Sequence, residues 1–370
     1  MLILLLHGGS LPVHADELSS VFDQLLSNPG DPALNIRYAE LVEARGDTRK
    51  ALAAYERALA QHPDNRDLLR GYRRIKRKLK PKVTSLILET GVRWESNPLQ
   101  LPDTDARKES DITFDFNLLL FDERTIAGHR LRSVGHVRTE YQGDVNDISD
   151  LALSFASGPV FEVGKKSRLH IAPGGTTAWL DGDWLYYDAL LKVTFETVRR
   201  GATQAITAQI AHRTTNDKFL GQDGVIFDLK GRFAFHNKLM QGDALYVLPK
   251  FRFSEPGGSG PGFVFKSPLL PGNYLEYGNR AVYYRPVAHG RAFIGAGLGA
   301  FHRTYNQNVA FGTKDREDVL LEPTAHLVIP RVRGTKFDLR FDYRFEHNDS
   351  NDDLEDYDNH VVSAKTVRRF

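Results

Sequence analysis

From residue 82 to the C-terminus the chain alternates between apolar and polar side chains with a period of two, and many of the polar positions are full charges. The clearest stretch is 337–345. Phe337, Leu339, Phe341, Tyr343 and Phe345 fall on one face of a strand, and Asp338, Arg340, Asp342 and Arg344 on the other. A soluble sheet would have to cover the apolar face with helices or a second sheet, and no helical pattern remains after Pro81 to supply one. The opposite face, a ladder of charges, is equally unsuited to a sandwich core. A closed barrel with lipid outside and water inside satisfies both faces at once.

The same pattern recurs. Ile112, Phe114, Phe116, Leu118 and Leu120 alternate with Thr113, Asp115 and Asn117, and Leu131 and Val137 with Arg130, Arg132, His136 and Arg138. Leu191, Val193 and Phe195 alternate with Lys192, Thr194 and Glu196. Val225 to Phe235 alternate with Asp228, Lys230 and Arg232, and Leu245 to Phe253 with Lys250 and Arg252. The charged residues expected to face the lumen are therefore Arg132, Arg138, Lys192, Lys230, Arg232, Lys250, Arg252, Asp338, Arg340, Asp342 and Arg344. Trp94, Tyr141, Trp179, Trp184 and Tyr305 stand at strand ends, where barrels carry aromatic girdles.

Bulk composition hides this pattern. A hydrophobic fraction of 41% resembles that of a soluble protein, but a barrel strand needs apolar residues only at alternate positions. No run of about 20 apolar residues exists to form a transmembrane helix. With 49 Lys+Arg against 47 Asp+Glu, nothing points to nucleic acid, and the lack of cysteine excludes disulfides and thiol chemistry.

Segmenting 82–370 yields about fourteen strands, an even number as bacterial barrels require. Their connections sort into two kinds. Asp122–Gly128, Gly164–Ser167, Arg199–Gly201, Asn237–Gly242, Ala288–Arg291 and Arg331–Lys336 are short and mostly basic. Ser96–Ser110, Gly143–Asp150, Asp181–Asp183, Asn216–Asp223, Glu255–Asn273, Asn306–Asp318 and Asn348–Asp358 are generally longer and mostly acidic. That is the pattern of periplasmic turns against extracellular loops, with both chain ends in the periplasm. Phe370 closes the last strand with a terminal aromatic, similar to the signal read by barrel-assembly machinery, although Arg368 stands where an apolar residue is usual.

Residues 1–15, with Leu2–Leu6 and a small-residue site at Val13-His14-Ala15, read as a trimmed signal peptide that lacks its basic start. Residues 16–81 have helical periodicity. Pro32–Asn65 has the length of one tetratricopeptide repeat and resembles that family. Tyr38, Ala39 and Val42 form the stripe of the first helix, Gly46 makes the turn, Ala51, Tyr55 and Ala58 pack the second helix, and Pro63 stops it. Asn35 takes a position where an aromatic is usual. Residues 17–28 read as the closing helix of a preceding repeat, and 66–79 as a basic terminal helix. The expected organisation is a signal peptide (1–15), a periplasmic helical domain (16–81) and an outer-membrane barrel (82–370).

Ten histidines lie between His129 and His360, but no nucleophile elbow or metalloprotease helix accompanies them. Gly295-x-Gly297-x-Gly299 lies inside a strand, where glycines relieve crowding. The cluster Asn348–Asp353 has oxygen ligands without calcium-site spacing, and the Gly/Pro-rich loop 256–272 could fold into the lumen or lie outside. The reading is a non-enzymatic barrel without cofactor or metal.

A short tetratricopeptide segment feeding a barrel of this size resembles the surface lipoprotein assembly modifier family. Thr90-Gly91-Val92-Arg93-Trp94-Glu95-Ser96-Asn97-Pro98 is similar to that family's strand-to-loop turn. The resemblance implies movement of lipoproteins, or similar clients, to the cell surface, with helical repeats engaging the client and the barrel providing a passage. It implies as partners outer-membrane lipid and lipopolysaccharide, the barrel-assembly machinery and a lipoprotein client. The competing readings are an exopolysaccharide-export porin with a polysaccharide client, and a passive porin or structural barrel.

Overall fold

The computed structural model describes residues 13–79, 82–145, 148–164, 166–199, 202–216, 223–256, 273–308 and 314–370. Most of the expected signal peptide and the loop 257–272 lie outside them. The chain divides after Val83 into a helical unit and a barrel unit.

The helical unit consists of α1 (Val13–Ser27), α2 (Pro32–Ala44), α3 (Thr48–Gln61) and α4 (Arg66–Leu79). Asp31 caps α2 by accepting from the Ala33 and Leu34 amides at 2.7 and 3.0 Å, with Pro32 in the first turn, where its missing N–H is harmless. Gly46 turns the chain at φ +85°, a left-handed conformation that glycine adopts without strain. Ala39, Val42, Ala51, Tyr55 and Ala58 are buried in one core with Leu68 and Ile75, and Tyr38 packs at its edge. Pro63 lies just beyond the end of α3. The unusual Asn35 is buried because its Nδ2 donates to the carbonyls of Pro29 and Asp31, closing the turn before α2. Two basic residues of α4, Arg74 and Lys78, converge on Glu43 of α2. Burial alone would raise the pKa of Glu43, but hydrogen bonds from Lys78 and Arg74 outweigh it and hold the carboxyl below its usual range.

Gly71 fixes how closely α4 approaches α3, since a Cβ there would lie 2.3 Å from ring carbons of Tyr55. Gly71→Ala is expected to destabilise this unit by about 1–3 kcal/mol through overpacking, against about 1 kcal/mol of helix propensity gained. Hydrogen exchange across residues 48–79 of the full chain measures it, and undiminished protection would refute the tight approach.

The barrel unit is a closed antiparallel barrel of fourteen strands, each paired with its sequence neighbours and β1 closing on β14. The strands are β1 (Lys82–Glu95), β2 (Asp111–Ile126), β3 (His129–Gln142), β4 (Asp150–Val163), β5 (Ser167–Leu180), β6 (Asp183–Arg199), β7 (Ala202–Thr215), β8 (Gly224–His236), β9 (Ala244–Pro256), β10 (Tyr274–Val287), β11 (Ala292–Asn308), β12 (Asp315–Ile329), β13 (Phe337–Ser350) and β14 (Tyr357–Arg369). The strands extend further than the turn pattern suggests. Asp122–Ile126, expected in a turn, belongs to β2, and the turn itself is only Ala127-Gly128, both residues at positive φ. Asp315–Asp318, expected in a loop, begins β12. Acidic residues look like loop until their partners are known, and Asp318 is neutralised within the wall by Arg316 at 2.9 Å.

The seam is secured at both ends. Near the chain ends the Phe370 amide donates to the Leu86 carbonyl at 2.9 Å. Arg368 lies on the outer face with its guanidinium over the rings of Phe337 and Phe370, which explains how an arginine is tolerated there. At the opposite rim the Asn97 amide donates to Asn359 Oδ1 at 3.0 Å, while the Asn97 side chain holds Leu101 in the loop. The Ser96-Asn97 turn therefore locks β1 to β14.

Candidate functional site

Alternation sends every second side chain inward, and ion pairs between non-neighbouring strands establish the direction, because such pairs can only cross the interior. Arg132 on β3 donates to Glu196 on β6 at 2.7 Å and to Glu123 on β2 at 2.9 Å. Arg93 on β1 reaches Asp115 on β2 and Glu140 on β3 at 2.8 and 2.6 Å. The opposite parity carries the exposed apolar side chains, among them Phe114, Phe155, Leu191, Ile210, Leu298 and Phe341. Trp94, Tyr141 and Trp184 are exposed with them. Tyr305 is a correction to the expected girdle. It shares parity with Arg303, packs 5.5 Å from the Tyr274 ring and lies under the Arg316 guanidinium, so it belongs to the interior.

The remaining lumen residues assigned from the sequence occupy distinct settings. Arg138 donates to Asp150 at 2.8 Å, and Arg252 grips both oxygens of Asp228 at 2.7 and 2.8 Å, with Lys230 3.6 Å from the same carboxylate. Lys250 pairs with Glu276, whose other oxygen takes Arg303. Arg340 meets Asp342 at 2.7 Å, Arg344 meets Glu346 at 2.7 Å, and Asp338 holds Arg369. Lys192 and Arg232 have no ion pair among the described residues, and Arg232 instead lies 5.8 Å from the Tyr246 ring centre. Arg93, Glu123, Glu276, Arg280, Arg303 and Glu322 are further lumen residues that the charged alternation does not single out. Glycines on the inward face, such as Gly91 and Gly278, interrupt the charged alternation there. The continuing period-two spacing of Glu276, Gly278 and Arg280 was the available signal.

Two cavities lie along the lumen wall. One of about 850 Å³ reaches the rim at which β1 begins and β14 ends, near Ala244, Phe293 and Arg369. The other, of about 340 Å³, is lined by Lys230, Lys250, Glu276 and Arg303. Leu248 and Arg280 line both and so stand where one gives way to the other. The glycine series in β11 helps keep this space open. A Cβ at Gly295 would meet the Tyr284 ring at 2.7 Å, at Gly297 Thr324 Oγ1 at 2.7 Å, and at Gly299 Glu322 Oε2 at 2.8 Å. Without Cβ atoms at these three positions, side chains from β10 and β12 lie close against the wall.

His326 takes Asp342 at 2.6 Å and Thr324 at 3.1 Å, whereas His360 sits on the outer face against Tyr343 and shares the Phe345 ring with His347. In the Asn348–Asp353 cluster, Asn348 donates to the Glu355 carbonyl and Ser350 to Asp318, and among the described residues no three His, Asp or Glu are grouped to share a metal ion.

The tetratricopeptide repeat family model matches residues 32–72, and no curated protein is significantly similar in sequence. Among solved structures, the outer membrane channel DcaP of Acinetobacter baumannii is 9% identical with a TM-score of 0.46, over 78% of this chain and 97% of its own. CdiB from the same organism is 9% identical with a TM-score of 0.46, over 77% of this chain and 60% of its own. OccAB4, also from that organism, is 7% identical with a TM-score of 0.38, over 79% and 99%. What marks this chain as a membrane barrel of the outer-membrane type is its own wall, closed, apolar outside and ionic inside.

Proposed function

We propose that this outer-membrane barrel helps carry lipoproteins, or clients like them, to the cell surface, with its helical repeat in the periplasm engaging the client. The observation that carries the reading is the joining, in one chain, of a tetratricopeptide repeat at 32–72 to a closed barrel with an internal cavity. A passive porin has no use for such a repeat. Its core is small, built from alanines that bring helices together around Tyr55, and so short a repeat array has few stacking neighbours to cover its faces, which leaves room for a client to do so. No nucleotide is available at the outer membrane, so client movement draws on the free energy of folding or binding at the destination.

Deletion of the gene is expected to remove a specific lipoprotein from the protease-accessible cell surface while leaving its total level unchanged. Unaltered display together with loss of a capsule or matrix polymer would overturn this in favour of polysaccharide export. Interior faces that mix both charge signs favour neither client by themselves, so the phenotype decides.

A further inference from the structure

We propose that the larger lumen cavity is a binding site for a small soluble organic anion carrying two or more carboxylate or phosphate groups. This goes beyond client passage and stands without it. A volume of about 850 Å³ lies within the roughly 300–1,000 Å³ typical of ligand pockets.

The cations around the cavity retain donor capacity. Arg280 spends one terminal nitrogen on Glu322, and Arg344 one on Glu346, and neither shows an acceptor for its second terminal nitrogen among the described residues. Arg232 has no carboxylate partner among the described residues, and its guanidinium lies 5.8 Å from the Tyr246 ring centre. A guanidinium that lines the cavity with a terminal nitrogen uncommitted can donate it to a bound anion. The carboxylates in the lining are already engaged. Asp338 holds Arg369, Asp342 holds Arg340, and Glu89 lies 3.4 Å from Lys365. Arg232 on β8 and Arg280 on β10 are two strands apart, about 10 Å along the sheet, and Arg344 lies on β13. That spread suits several anionic groups better than one. Tyr246, Val282 and Val328 provide apolar surface for a carbon skeleton between those groups.

Calorimetric titration of the detergent-solubilised full chain with citrate and with fructose 1,6-bisphosphate tests the site and separates carboxylate from phosphate preference. Saturable binding of at least one probe is expected. Arg232→Gln removes no ion pair, so the barrel stays folded, and it is expected to weaken binding about tenfold, the loss of roughly one charge-assisted hydrogen bond. Arg280→Gln with Glu322→Gln removes a pair together and is expected to weaken binding comparably. Lys192→Gln removes an equal charge from the lumen outside the cavity and is expected to leave affinity within about twofold. The proposal is overturned if neither probe saturates, if Arg232→Gln binds like the parent protein, or if Lys192→Gln weakens binding as much as Arg232→Gln, which would mark a diffuse field in place of a site.

Discussion

Replacing Glu276 by alanine is expected to destabilise the barrel by about 3–5 kcal/mol, the usual consequence of removing one partner from a buried ionic cluster. Glu276 is only 1% exposed and takes Lys250 from β9 on one oxygen and Arg303 from β11 on the other. Its loss leaves two cations of the same sign facing each other in the wall, while the neighbouring carboxylates Asp318 and Asp228 are already held by Arg316 and Arg252. Urea unfolding in lipid vesicles reads the change. Converting all three residues to apolar ones of similar size is expected to restore much of the stability, because an intact buried ion cluster contributes little net free energy over a well-packed apolar one. A midpoint unmoved by Glu276→Ala would mean that water reaches and solvates these charges, and the picture of a tightly paired lumen wall would fail.

The second large effect concerns the outer face. Phe341 stands at the centre of the outward apolar run of β13 and is 42% exposed. Phe341→Arg is expected to cost about 2–4 kcal/mol if that position lies near the bilayer midplane, whereas Asp349→Arg, with the same parity but close to the loop end of the strand, is expected to cost about 0–1 kcal/mol. The gradient between the two sites is the informative quantity. On a barrel surrounded by water, an exposed phenylalanine could be exchanged for arginine at little cost and the two variants would behave alike. Equal stabilities would therefore remove the membrane assignment and, with it, every statement about passage across a bilayer.

Much of this architecture is written locally. The face on which a side chain falls follows from its own position in a strand with a period of two, so the parity of Arg132, Arg252 and Asp342 needs no knowledge of distant residues. The even number of strands follows in the same way from counting alternating stretches between turn residues. In the helical unit, Gly46, Ala51, Tyr55 and Ala58 carry their roles in their size and spacing, because close helix approach tolerates little else. Strand ends were harder to see. Asp122–Ile126 and Asp315–Asp318 carry loop-like charge, and arginines two residues along the same strand, Arg124 and Arg316, pair with Asp122 and Asp318 and let those residues remain in the wall. Tyr305 is ambiguous for a related reason, since an aromatic near a strand end fits a girdle equally well until its parity relative to Arg303 is known.

Sequence by itself determined the barrel class, the two contrasting faces of its wall and the repeat that precedes it, since each depends on periodicities that a residue expresses among its immediate neighbours. Tertiary structure decided which charges meet. Arg132 and Arg232 are indistinguishable as alternating cations, yet closure carries Arg132 across to Glu196, three strands away, and sets Arg232 over Tyr246 beside an open cavity. That difference arises from register and curvature, which are fixed only when β1 meets β14 and the distances across the interior come into being.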